Sequence, residues 1–178
     1  MDRIIVAGVS AGAGKSTFAR KLGEQLDLEV HHLDAYFWKP GWKERDKQEF
    51  EGIQRKLVSG ERWIIEGNYG GTMHIRFAQA DTFIYIELPL VVCVYRVLKR
   101  WIKGRGKIRP DMAEGCPEKM DKAFLKFIIT TYSARKGAMR TRAAEFEASA
   151  PNRKSLILQS QKQIDDFFSK QATSQNII

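Results

Sequence analysis

At 178 residues the chain has the length of a single domain able to bury a proper core. It holds no run of about 18 uncharged apolar residues, which argues against a membrane-spanning helix; Cys93 and Cys116 lack any metal-binding or redox spacing and fit a reducing, cytoplasmic compartment. The formal net charge is +9 and its excess is local: residues 96–142 carry 14 Lys and Arg against 4 Asp and Glu, while the rest carries 16 against 17.

The chain opens Met-Asp-Arg and enters an apolar run over residues 4–7, suited to a buried parallel strand. No secretory pattern precedes it. Next comes Val9-Ser10-Ala11-Gly12-Ala13-Gly14-Lys15-Ser16-Thr17, then an amphipathic segment to Leu28 with Phe18, Leu22 and Leu26 on one face. Strand, glycine-rich turn and helix in that order predict a phosphate-binding loop. Backbone N–H groups around Gly12, Ala13, Gly14 and Thr17 would cradle phosphate oxygens, aided by the positive end of a helix beginning near Lys15. Lys15 would reach the β- and γ-phosphates of ATP, and Ser16 would hold Mg²⁺. The pattern has one departure. Five residues before Gly14, where it asks for a first glycine, stands Val9, and Gly8 sits one place too early.

Residues 28–33 read as the second strand. It ends in Asp34, at the head of the aromatic stretch 34–42, which Pro40 and Gly41 break. Strand ends in open α/β sheets face the ligand crevice, which places Asp34 and Trp38 near a substrate. The aromatics suit packing beneath a loop equally well. Residues 46–58 read as a helix with Phe50, Ile53 and Leu57 on one face, ended by Gly60. Trp63-Ile64-Ile65 is the third strand. Glu66, just after it, takes the place of the acidic residue that holds Mg²⁺ in phosphate-loop sites.

Residues 72–80 predict a short helix with His74, read as a surface or packing residue, and Arg76. Residues 82–88 form the fourth strand, and Pro89 opens a helix to about residue 103 that carries Arg96 and Arg100 on one face. Residues 104–111, with Gly, Pro and alternating basic side chains, read as a mobile loop. A long helix follows over 118–148, with a break expected near Gly137. Residues 155–159 make the last strand. Ser160 and Gln163 have the capping-box spacing and open a helix carrying Ile164, Phe167 and Phe168. The end of the chain, after Lys170, is expected to fray.

This alternation predicts an α/β fold: a five-stranded parallel sheet with helices on both faces and right-handed crossovers. With the residues placed, the chain resembles the nucleoside-monophosphate-kinase group of phosphate-loop proteins, and within it the adenylate-kinase-like family of DNA topology modulation proteins. The stretches that carry the resemblance are 12–20, His32-Leu33-Asp34, Trp38-Lys39-Pro40-Gly41-Trp42, 63–69 and 109–119. The resemblance implies a P-loop NTPase with sheet order 2-3-1-4-5, an ATP site at the loop, and a lid over about 104–117, all in one domain spanning 1–178. It implies that Arg96 stacks on the adenine, that Arg100 contacts phosphate, and that Arg109 clamps the transferred group. The chain departs from adenylate kinases after Glu66-Gly67, where an arginine would grip a monophosphate acceptor. The stretch here is Asn68-Tyr69-Gly70-Gly71, and Arg76 is the nearest substitute, in a different register.

Two functions remain open on this reading. One is phosphoryl transfer from ATP·Mg²⁺ to a small acceptor, with Lys15, Arg100, Arg105 and Arg109 around the γ-phosphoryl group and Asp34 orienting or deprotonating an acceptor hydroxyl. The other is nucleotide-dependent nucleic-acid binding through the basic segment. Slow ATP hydrolysis alone is a third. The chain is expected to be a monomer or a homodimer, without a membrane partner.

Overall fold

The computed structural model describes residues 1–175. β1 (Arg3–Gly8) runs into the glycine-rich turn and α1 (Lys15–Leu26). β2 (Val30–His32) passes directly into a short helix, α2 (Leu33–Phe37), then a two-stranded antiparallel ribbon, β3 (Trp38–Lys39) and β4 (Lys43–Glu44). α3 (Lys47–Leu57), β5 (Trp63–Glu66), a 3₁₀ turn (Gly70–Thr72), α4 (Met73–Gln79) and β6 (Thr82–Ile86) follow. α5 (Leu90–Gly104), α6 (Lys122–Ala148), β7 (Lys154–Leu158) and α7 (Gln161–Gln175) complete the chain.

The main sheet is all parallel, in the order β2-β5-β1-β6-β7. Counted along the chain its five strands run 2-3-1-4-5, the expected order. Ile4, Ile5, Val6, Ile64, Ile65, Phe83 and Ile84 are all fully buried, as a sheet covered on both faces requires. Phe18 of α1 packs on Phe167 and Phe168 of α7, while Phe77 of α4 and Phe146 of α6 pack on Phe83. β1 sits at the centre, with β5 and β6 as neighbours. Its carboxyl end is where the strand order reverses and a crevice opens.

Several local expectations change. The stretch after His32 is helical, because Leu33 is a fully buried anchor and Asp34 suits a first helical turn. The Pro40-Gly41-Trp42 break is the tip of the β3–β4 ribbon, with positive φ at both Gly41 and Trp42. α6 runs unbroken through Gly137, which faces open space. It starts at Lys122, not 118, because the Asp121 carboxylate caps the Phe124 N–H at 2.7 Å. Only half of the capping box at Ser160 forms. Ser160 Oγ accepts from the Gln163 N–H at 3.1 Å, but the Gln163 side chain reaches back to the Gln159 N–H. α7 continues past Lys170 to Gln175, and the rest of the expected frayed end lies outside the described residues. No helix is long and apolar enough to cross a membrane among the described residues.

Candidate active site

The turn after β1 needs left-handed backbone at two positions, Gly12 (φ 79°) and Gly14 (φ 94°). Both are glycine, which alone adopts that conformation without cost. A Cβ on Gly12 would also lie 2.2 Å from the Cys93 carbonyl oxygen of α5. Val9 needs no positive φ. It is buried, and its N–H donates to the Ile86 carbonyl at 2.9 Å. The turn is therefore entered on ordinary backbone, which explains why valine is accepted there.

Lys15 folds back over Gly8, where a Cβ would meet its Cγ at 2.7 Å. Its Nζ lies 3.4 Å from the Ser10 carbonyl and 3.9 Å from Glu66 Oε1. Glu66, buried at the end of β5, accepts a bond from Ser16 Oγ at 3.1 Å and meets His32 Nδ1 at 2.9 Å. Ser16, Lys15 and Glu66 thus come together as their spacing along the chain led us to expect. His32 is an addition. Its signal in the sequence is its position at a strand end two residues before Asp34, within the stretch His32-Leu33-Asp34 already noted.

Opposite the loop, Asp34 Oδ1 accepts from the Tyr69 hydroxyl at 2.5 Å. Burial raises the Asp34 pKa, the Glu66 charge raises it further, and the Tyr69 bond only partly offsets this. Tyr69 itself is pushed far above its ordinary range by burial and by Asp34. The loop that carries Tyr69 is pinned from both sides. Asn68 exchanges two bonds with the Gly8 backbone, at 3.0 and 2.8 Å. Arg76 lies fully buried beneath the loop and donates to the carbonyls of Gly67 (2.7 Å), Asn68 (2.9 Å) and Tyr69 (3.3 Å). Burial lowers its pKa to about 9, despite Glu66 and Tyr69. Arg76 is not brought to the cleft. Both terminal nitrogens of its guanidinium are taken up by backbone carbonyls, so it braces the loop that carries Tyr69.

Long-range hydrogen bonds tie residues 105–121 to the ribbon. Gly41 N–H donates to the Gly115 carbonyl at 3.0 Å, and Trp42 Nε1–H to the Pro117 carbonyl at 3.2 Å. Met112, Ala113 and Cys116 form a small core with Trp38 and Trp42. This docking turns Arg109 toward α5. Glu118 sits between Arg100 (Nε 3.0 Å) and Arg109 (Nε 3.1 Å, an ion-pair approach without hydrogen-bond alignment). Arg109 also lies 3.4 Å from Asp111. Burial raises the Asp111 pKa, but Arg109 and a hydrogen bond with Ser16 outweigh it and hold the carboxyl below its usual range.

These groups line one cleft of about 1280 Å³. It contains Gly12, Ala13, Gly14, Lys15, Ser16, Thr17, Asp34, Trp38, Glu66, Arg96, Arg100 and Arg109. Arg105 is not among its walls. It caps α5 and sits 5.8 Å over the Trp101 ring, so the structure separates it from the arginines it was grouped with. Among the cleft arginines that were missed, two lie on α6, Arg135 and Arg142. No Asp or Glu pairs with either among the described residues. Their signal was a seven-residue spacing, two helical turns on one face, hidden in a generally basic segment.

The donor set suits a magnesium nucleotide. Ser16 and Glu66 offer hard oxygens beside the phosphate loop, and among the described residues no three His, Cys, Asp or Glu side chains cage a metal on their own. Mg²⁺ bound through one or two protein oxygens plus phosphates needs no such cage. Ser10 Oγ, buried within the same loop, has no hydrogen-bond partner among the described residues.

No protein-family model and no curated protein matches the chain. Among solved structures, the fold is similar to shikimate kinase from Acinetobacter baumannii in complex with shikimate: 14% identity, TM-score 0.54, over 99% of this chain and 94% of that one. It is also similar to shikimate kinase from Bacteroides thetaiotaomicron: 18% identity, TM-score 0.52, over 95% of each chain. At these identities the likeness is one of fold, that of a P-loop kinase core.

Proposed function

We propose that the protein is an ATP-dependent phosphotransferase, acting on a small acceptor and related to the adenylate-kinase-like DNA topology modulation proteins. The observation that carries this reading is one cleft shared by the Gly12–Gly14 turn, Lys15, the Ser16–Glu66 pair and the buried Asp34. Ser16 and Glu66 would hold Mg²⁺, which when bound would neutralise phosphate charge. Lys15 binds the β- and γ-phosphates, and Arg96, on the loop side of α5, faces the nucleotide. Arg100 and Arg109 supply positive charge where negative charge builds in the transition state. Residues 104–117 act as the lid that brings Arg109 in and excludes water.

Asp34 suits the role of base because burial has raised its proton affinity toward the working range. Trp38, with Phe37 and Tyr69 nearby, forms an aromatic wall for the acceptor. Arg135 and Arg142 make the far side of the cleft positive, which suits an acceptor with an anionic group. The nucleic-acid reading draws on the same basic segment, yet five of its arginines line this cleft: Arg96, Arg100, Arg109, Arg135 and Arg142. The test is a screen of nucleosides, nucleotides and sugars with γ-labelled ATP and Mg²⁺. The reading expects label on a small acceptor. Label only in free phosphate, or nucleotide-dependent DNA retention without transfer, would favour hydrolysis or nucleic-acid binding instead.

A further inference from the structure

α5 has two apolar faces, and among the described residues only one of them has a partner. Cys93 and Val97 point into the core and are fully buried. On the other side Val91, Tyr95, Leu98 and Ile102 are 79%, 60%, 36% and 71% exposed. They fall at i, i+4, i+7 and i+11, so they form one continuous stripe about 16 Å long at 1.5 Å per residue. Trp101 borders the stripe. Together these side chains leave on the order of 500 Å² of apolar surface bare, at the upper end of what a monomer usually shows.

We infer that this face of α5 is a homodimer interface in which two copies of the helix pack antiparallel about a two-fold axis. Three observations select a second copy of the chain. The first is the spacing, which reads the same from either end. With the axis between Tyr95 and Leu98, Val91 faces Ile102 of the other copy and Tyr95 faces its Leu98, the reciprocal pairing an isologous contact requires. The second is charge. Every charged residue of α5 is basic, and three of the four, Lys99, Arg100 and Lys103, lie in its C-terminal half. Antiparallel packing sets each more basic half beside the other copy's less charged half. A parallel pair would stack the charges and align the helix dipoles. The third is area. Two such stripes bury about 1,000 Å² of apolar surface together, which reaches the threshold for a specific interface before any flanking contact is counted. The opposite face of α5 carries Arg96 and Arg100 into the cleft, so the dimer would hold the helix that presents them.

The experiment is sedimentation velocity over a concentration series, with cysteine crosslinking to set the orientation. Wild type should shift from monomer to dimer as concentration rises. The double variant Tyr95→Glu/Ile102→Glu should stay monomeric over the same range and melt as dilute, monomeric wild type does, since both side chains are exposed. A mixture of the single variants Val91→Cys and Ile102→Cys should give a mixed disulfide-linked dimer on oxidation, while Ile102→Cys alone should not crosslink to itself. A wild type that stays monomeric at every concentration would overturn the inference. So would a dimer that the double variant leaves intact. A monomer that floats with phosphatidylserine vesicles, and loses this in the double variant, would assign the face to an anionic bilayer and also overturn it.

Discussion

Asp34 shows how burial and function pull against each other at one residue. Its raised pKa means that the folded protein binds a proton more readily than the unfolded chain does. Ionised Asp34 therefore costs stability at neutral pH, and that cost fades as pH falls below its folded pKa. Asp34→Asn should remove the cost while keeping an acceptor for the Tyr69 hydroxyl. We expect a higher melting temperature at pH 7, a smaller gain near pH 4, and a turnover loss on the order of 10²–10⁴-fold. In the wild type, turnover should rise with pH through a value above the ordinary carboxylate range, because the base must be ionised. Arg76 makes the opposite case. Arg76→Ala strands three carbonyls beneath the Gly67–Tyr69 loop, and chemical denaturation should show a loss of about 3 kcal/mol or more. A variant of full stability with a raised KM would return Arg76 to the acceptor site. The sequence could not separate these roles. The pairing of Ser16 with Glu66 was legible because each follows a strand by a fixed count. The direction of the Arg76 side chain depends on where a loop's carbonyls end up.

Among the elements, α5 and the segment after it bring Arg96, Arg100 and Arg109 to the cleft. α5 was legible from its length, from Pro89 at its start and from Arg96 and Arg100 one turn apart. The docking of residues 105–121 was not, because it rests on contacts between distant parts of the chain, such as Cys116 Sγ to the Lys39 carbonyl at 3.3 Å. Composition alone made that segment look like a free loop. If Arg109 acts in the transition state, Arg109→Ala should lower kcat on the order of 10³-fold and leave ATP affinity nearly unchanged. A normal kcat with a competent acceptor would remove it from the reaction. α6 offers a test of stability alone. Gly137 sits in the helix interior with ordinary φ and open space where a Cβ would go. Gly137→Ala should stabilise the protein by roughly 0.5–1 kcal/mol, read by thermal or chemical denaturation. A loss would mean that the position serves a bend or contact the helix geometry does not reveal.

For the whole molecule, the alternation of apolar strands and amphipathic helices made the sheet legible, because parallel strands need crossovers and crossovers have one hand. The half of the cleft beside the glycine-rich turn followed, since it hangs on the end of the central strand. The other half draws on α2, the ribbon, residues 105–121 and α6. Those elements meet only in three dimensions, which is why Arg135 and Arg142 escaped notice. The central claim is that the β1–α1 turn, Lys15 and the Ser16–Glu66 pair form a nucleoside triphosphate site. Calorimetric titration of wild type and Lys15→Ala with a non-hydrolysable ATP analogue and Mg²⁺ tests it most directly. The account predicts one site per chain in the wild type, weakened by chelation of the metal, and no measurable binding to a Lys15→Ala protein that melts as the wild type does. Equal affinity in the two proteins would contradict it.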